Sequence, residues 1–262
     1  MDDHTVAATN ADLPVIPASN LKLLTATAAV QVLGADTVFT TTVVGAAPVN
    51  GVVNGDVYLV GGGDPVLSEQ WYTQPSATRK RPPLHATSFE ALVDQLAAAG
   101  VTSITGGVVG DGSRYDDERH PPGWSKDIRA SIDGVPVGAL VVNDSVSKSG
   151  AIAADPATSA ATTLRSLLRS RGIQVGGSVS AGVAPAGAGV LASVTSAPLT
   201  DIVNEMLATS DNLTAEMLVK ELGRTAAAPG TRDAGLQVMG AKGLKGGIFD
   251  KMDPFVVLEL RK

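Results

Sequence analysis

Ser19 and Lys22 stand three residues apart in the stretch Ile16-Pro17-Ala18-Ser19-Asn20-Leu21-Lys22-Leu23-Leu24-Thr25-Ala26, which reads as the opening of a helix. Positions three apart on a helix share a face, so the hydroxyl and the amine can meet. A serine hydroxyl is a weak nucleophile until a neighbouring base takes its proton. A lysine can be that base when burial or nearby charge lowers its pKa. The chemistry would be acyl transfer through a serine ester. The alternative is a plain helix start, with Pro17 early, Ser19 as N-cap or first-turn residue and Lys22 in solvent.

The flanks bear on that choice. Leu21, Leu23, Leu24, Ala26, Ala28, Ala29 and Val30 are apolar on nearly every side, which predicts a buried helix. A lysine in the first turn of a buried helix needs a partner, because an unpaired buried charge is expensive. Gly34 supplies a C-cap. Far downstream, Asp201 to Leu207 reads as an amphipathic segment, Ser210-Asp211-Asn212 as a polar break, and Leu213 to Leu222 as a second helix stopped by Gly223. Taken alone, Ser210-Asp211-Asn212 is a capping cluster between helices. Paired with Ser19 and Lys22, it reads as a second element of the same apparatus.

These stretches, with Val60-Gly61-Gly62-Gly63-Asp64-Pro65-Val66-Leu67, Val142-Asn143-Asp144-Ser145 and Thr209 to Met217, resemble the D-alanyl-D-alanine carboxypeptidase/endopeptidase family, the class C low-molecular-weight penicillin-binding proteins. The resemblance runs from about Val6 to Met239. It implies an α/β (α+β) fold like that of penicillin-binding proteins and serine β-lactamases, incomplete here, with a strand-rich inserted region. The implied boundaries are 1–44 and 191–239 for two pieces of the catalytic domain, 45–190 for the insert, and 240–262 for an atypical tail.

By the same resemblance Ser19 is the acylated nucleophile, Lys22 its general base, Ser210 the hydroxyl that relays protons, and Asn212 the residue that orients Lys22 and the substrate amide. The implied substrate is the D-Ala-D-Ala end of peptidoglycan stem peptides or their cross-link, with β-lactams as mimics. No cofactor or metal is implied, and the place of work is outside the cytoplasm. One element departs from the pattern: no K-T-G or K-S-G follows Asn212. Lys148-Ser149-Gly150 precedes Ser210 and reads as a turn, and Lys245-Gly246-Gly247 lacks the hydroxyl. The stretch Lys242 to Leu260 faintly resembles the start of a C2 domain, with Asp250 and Asp253 as calcium-loop carboxylates, though a short strand after a polar turn accounts for it too. A truncated or chimeric frame is the expectation that covers both departures. Two functions follow: an acylating D,D-peptidase slowed by the missing strand, or a non-catalytic cell-wall-binding protein on a degenerate peptidase fold.

Composition narrows the classes. Net charge is −6, and hydrophobic residues make up 44% of the chain against 3% aromatic, so the core is built from Ala, Val, Leu and Ile. No basic stripe suits nucleic acid, and Arg79-Lys80-Arg81 reads as a solvated loop. The absence of cysteine excludes disulfides and thiolate chemistry. No stretch approaches the roughly 20 apolar residues of a membrane span. Met1-Asp2-Asp3-His4 does not open a signal peptide, which fits a trimmed or incomplete start. His4, His85 and His120 lack ligand spacing.

The positioning elements read as follows. Thr37 to Val44, Asp56 to Val60, Val101 to Val109, Val135 to Val142 and Leu191 to Ser196 predict strands. Asn50-Gly51, Asn54-Gly55 and Gly61-Gly62-Gly63 mark turns. Ser88 to Ala99 and Ala157 to Arg171 predict helices closed by Gly100 and Gly172. Gly110 to Trp124 reads as a polar loop whose Asp116-Asp117 pair is solvated.

Overall fold

A computed structural model of the chain describes residues 17–75 and 82–240. His4, Arg79-Lys80-Arg81 and the tail beyond Gly240 lie outside the described residues. In chain order the first elements are α1 (Leu21–Leu33), β1 (Thr40–Gly45), β2 (Val52–Val53), β3 (Val57–Val60), β4 (Leu67–Ser68) and β5 (Thr87–Ser88). Next come α2 (Glu90–Ala98), β6 (Ser103–Ile104), β7 (Val108–Asp111), α3 (Lys126–Arg129) and α4 (Pro156–Ser170). The last are β8 (Gln174–Val175), β9 (Val179–Ala181), β10 (Gly189–Thr195), α5 (Leu199–Thr209), α6 (Asn212–Arg224) and α7 (Arg232–Val238).

The main sheet has the order β10-β1-β3-β7-β9. β1 is antiparallel to both β10 and β3, and β7 is parallel to β3 and β9. Smaller parallel sheets join β2-β6-β8 and β4-β5. The order is non-consecutive because α2 and α4 are crossovers between parallel strands, as parallel pairing requires. Their apolar faces, Leu92, Val93 and Leu96 on α2 and Ala160, Ala161, Leu164 and Leu168 on α4, bury against Val43, Leu59 and Val108. A second core lies between α1 and the α5–α6 pair, built on Ala26, Ala29, Ile202, Met206 and Leu218. The side chain of Gln95 hydrogen-bonds both Ser193 N–H and Ser193 C=O at the free edge of β10, blocking further strand pairing there.

Several elements differ from their sequence reading. Helix α1 is buried on one stripe only, Lys22, Thr25, Ala26 and Ala29, while Leu23 and Leu24 are 54% and 44% exposed. A helix apolar on all sides does not say which side is covered. Val135 to Val142 is buried yet joins no sheet, because its partners are the side chains of α6 and Tyr115 rather than a strand. Gly223 does not end α6, which runs to Arg224. A β-carbon at Gly223 would come within 2.2 Å of the Thr231 carbonyl, so this glycine serves the close approach of the chain leading into α7. Of Gly61-Gly62-Gly63 only Gly63 has positive φ; β-carbons on the first two would strike the carbonyls of Ala139 and Thr40.

The loop 112–119 is fastened to α6 by charge. Arg114 makes a two-pronged pair with Glu221, Nε to Oε2 at 2.9 Å and Nη2 to Oε1 at 2.6 Å, and the Tyr115 hydroxyl donates to the same carboxylate. Lys220, 1% exposed, donates to Asp116 and to the Glu118 carbonyl. The solvated reading of Asp116-Asp117 therefore holds for Asp117, whose side chain is 96% exposed, and not for Asp116, which neutralises a buried lysine.

Candidate active site

The site forms where α1 meets the turn between α5 and α6. Ser19 sits in a 3-10 turn, Ala18–Asn20, that leads directly into α1. Its hydroxyl caps nothing there; Ala18 just before it holds φ 46, an uncommon value for a residue with a β-carbon. One turn on, Lys22 points back along the same face and its Nζ lies 3.4 Å from Ser19 Oγ. Helix α5 ends at Ser210, which adopts left-handed φ 58, ψ 40. That conformation turns the chain sharply enough for Asp211 to cap α6, accepting from Leu213 N–H and Thr214 N–H. The capping reading of Ser210-Asp211-Asn212 thus applies to Asp211, while its two neighbours face α1.

All four residues singled out from the sequence are brought together. Ser210 Oγ donates to Ser19 Oγ at 2.7 Å, Lys22 Nζ is 3.4 Å from Ser210 Oγ, and Lys22 Nζ donates to Asn212 Oδ1 at 2.6 Å. The opposite end of the Asn212 amide, Nδ2, donates to the Asp133 carbonyl at 2.9 Å. These groups open into a cleft of about 720 Å³ that Trp124, Asp133, Glu216 and Arg232 also line.

Burial lowers the Lys22 pKa below the usual lysine value, against the opposing pull of Asp211, Glu216 and Asp133. The lysine is thereby brought toward the neutral form that can accept a proton, while its neighbours keep a positive charge tolerable. Glu216 lies one helical turn beyond Asn212 on α6, is paired with Arg232 Nε at 3.2 Å, and has its carboxyl pKa raised by burial against the pull of Arg232, Lys220 and Lys22. Chemically this is a serine hydroxyl flanked by a second hydroxyl and a lysine of lowered pKa, in an open cleft: a nucleophile, a base and a proton relay within hydrogen-bond reach of one another.

Sequence reasoning missed Asp133, Glu216 and Arg232. Glu216 had a signal, the i, i+4 spacing from Asn212. Asp133 meets Asn212 through its backbone carbonyl and had none. Lys148-Ser149-Gly150 lies in an exposed turn, Gly150 with φ 84 and Lys148 Nζ 5.8 Å from the Trp71 ring centre, and lines no part of the cleft.

Comparison with known proteins bears on the family of the chain. The D-Ala-D-Ala carboxypeptidase 3 (S13) family matches residues 1–150 and 138–248. A D-alanyl-D-alanine carboxypeptidase of Actinomadura sp. is 31% identical over 85% of this chain and 52% of its own length. A carboxypeptidase of Mycobacterium tuberculosis is 32% identical over 80% of this chain and 44% of its own. The chain therefore spans about half the length of these curated relatives. The crystal structure of penicillin binding protein 4 from Haemophilus influenzae superposes with a TM-score of 0.75 at 19% identity, covering 96% of this chain and 69% of that one. The α/β fold is that of a penicillin-binding peptidase.

Proposed function

Because the chain belongs to the D-Ala-D-Ala carboxypeptidase 3 (S13) family, we propose that Ser19 is the nucleophile of a serine D,D-peptidase acting on the D-Ala-D-Ala terminus of peptidoglycan stem peptides or on their cross-links. The observation that carries it is the Ser19–Lys22–Ser210 triangle, with separations of 3.4, 3.4 and 2.7 Å, closed by Asn212. Neutral Lys22 takes the Ser19 proton as Oγ bonds to the carbonyl carbon of the penultimate D-alanine. The carbonyl electrons move onto oxygen, and the Ser19 backbone N–H donates to the resulting oxyanion. Collapse breaks the C–N bond, and the proton held by Lys22 passes through the Ser210 hydroxyl to the leaving amine. Water then adds to the ester by the reverse relay and frees Ser19.

The peptidoglycan substrate places the protein outside the cytoplasm. β-Lactams, whose strained amide presents the same carbonyl, acylate Ser19. Residues 213–262 carry no K-T-G or K-S-G. Incubation with a fluorescent penicillin, followed by mass spectrometry, tests the assignment. A covalent adduct that disappears in Ser19→Ala is expected; an adduct that survives that change refutes the nucleophile. Binding of peptidoglycan fragments with no adduct at any time favours the non-catalytic alternative.

A further inference from the structure

We propose that the backbone carbonyl of Asp133, held in place by the turn that Ser131 and Gly134 brace, is a positioning group that decides which end of the Asn212 amide faces Lys22. The inference rests on the reading of Ser19 and Lys22 given above.

A primary amide has two ends of similar shape and opposite polarity: an oxygen that accepts, and a nitrogen that donates two hydrogens. Nothing in the shape of Asn212 selects which end meets Lys22. A peptide carbonyl can only accept. With the Asp133 carbonyl 2.9 Å from one end of the side chain, that end must be Nδ2, and Oδ1 is left 2.6 Å from Lys22 Nζ. The second Nδ2 hydrogen stays available for a substrate carbonyl in the cleft. Were the amide reversed, its N–H groups would face the lysine, which has no acceptor when charged. The reversed amide would then oppose the protonated lysine that the leaving-group step needs.

The segment is built to hold that carbonyl still. Ser131, Asp133 and Gly134 lie in a tight turn after α3, where Ser131 Oγ accepts from Asp133 N–H at 3.3 Å and donates to the Ile128 carbonyl at 2.8 Å. Gly134 is buried, and a β-carbon there would come within 2.2 Å of the Ile128 carbonyl, so the turn packs against α3 without slack. Ile132, on the same turn, is 49% exposed. The charged groups that face Lys22 are Asp133 on this turn and Asp211 and Glu216 from the α5–α6 side, the last paired with Arg232 of α7. The Asp133 side chain therefore acts on Lys22 separately from its carbonyl, and the two can be told apart by substitution.

The test uses the full chain with four variants, read by NMR of the Asn212 side-chain amide, by β-lactam acylation against pH, and by melting temperature. Gly134→Ala displaces the carbonyl; Ser131→Ala loosens the same turn more gently and serves if Gly134→Ala does not fold. Asp133→Asn keeps the carbonyl and removes the carboxylate, and Ile132→Ala alters only the exposed face. Gly134→Ala is expected to shift the Asn212 amide resonances and lower acylation about 10²-fold, the typical cost of misplacing a reacting group by an ångström. Its acid limb moves to lower pH, because the charged lysine loses its acceptor. Ser131→Ala moves both readouts less, in the same directions. Asp133→Asn keeps the Asn212 resonances, and Ile132→Ala matches the wild type throughout. Unchanged Asn212 resonances in a folded Gly134→Ala or, failing that, Ser131→Ala protein overturn the proposal, as does lost acylation with an unmoved acid limb, which marks a structural effect alone. If the wild type forms no adduct, the reading of Ser19 fails, while the amide resonances still decide the role of Asp133.

Discussion

Replacing Asn212 tests the electrostatics of the site with a sign as well as a size. Its Oδ1 accepts from Lys22 Nζ at 2.6 Å. A hydrogen bond to a charged group is worth about 1.5–3 kcal/mol, and the protonated lysine donates this one far more strongly than the neutral amine would. Asn212→Ala removes it and shifts the balance between charged and neutral lysine by roughly 10–150-fold toward neutral. Burial already pushes the Lys22 pKa down, with Asp211, Glu216 and Asp133 opposing. The acid limb of acylation, where the rate rises as Lys22 loses its proton, therefore moves to lower pH in Asn212→Ala. Asn212→Asp adds a carboxylate at the same place, favours the charged lysine, and moves the limb to higher pH. The plateau falls in both, because the substrate amide loses its donor. The assay is the second-order rate of fluorescent-penicillin acylation from pH 5 to 10, with melting temperature measured alongside. Limbs that move together, or stay fixed in both variants, refute Lys22 as the titrating base.

Three further outcomes follow from the packing. Asp116→Ala strands the buried Lys220 charge and is expected to cost about 3 kcal/mol in urea unfolding, at the low end for a broken buried pair because Asp116 is partly exposed; adding Lys220→Met recovers most of it. Asp64, whose carboxyl pKa burial raises to about 6, holds its proton in the folded chain at pH values where the unfolded chain has already lost it. The wild type thus loses about 3 kcal/mol as pH rises from near 4 to above 6, and Asp64→Asn, which keeps the acceptor for Val66 N–H, lacks that slope in chemical denaturation. Leu23→Ala on the exposed side of α1 changes the melting temperature little, with a stability effect within about 0.5 kcal/mol, where a buried leucine would cost 2–5 kcal/mol.

The part of the site legible in the sequence is the part encoded locally. Ser19 and Lys22 share a helix face by spacing alone, and Ser210 to Asn212 announce a helix start whose cap residue, Asp211, does cap. Lys22 and Ser210 are 188 residues apart, and their contact was suggested by pairing two motifs, not by any periodicity. Helices α2 and α4 were legible because amphipathic stripes and closing glycines agree, and α5 and α6 were legible from their stripes. Val135 to Val142 looked like a strand because a buried apolar run reads alike whether or not a neighbour pairs with it. Nothing local marks Lys220 as a buried, paired lysine, because its partner, Asp116, is 104 positions away.

That distant pairing bears on why Asn212 is well placed. Helix α6 carries Asn212 in its first turn and Lys220 and Glu221 two turns later. The loop that Lys220 and Glu221 hold through Asp116 and Arg114 runs on to Ser131 and returns to α6 at Asp133, beside Asn212. One helix is thus gripped at both ends by one continuous segment, residues 114–133. Removing Asp116 leaves the Arg114 and Tyr115 bonds to Glu221 as the far grip and loosens the segment that leads to Asp133. Asp116→Ala should therefore lower acylation as well as stability, and adding Lys220→Met should restore stability more fully than rate, because methionine relieves the buried charge without rebuilding the tether. Equal recovery of both would mean that the loop needs no fastening at Asp116 to keep Asp133 against Asn212.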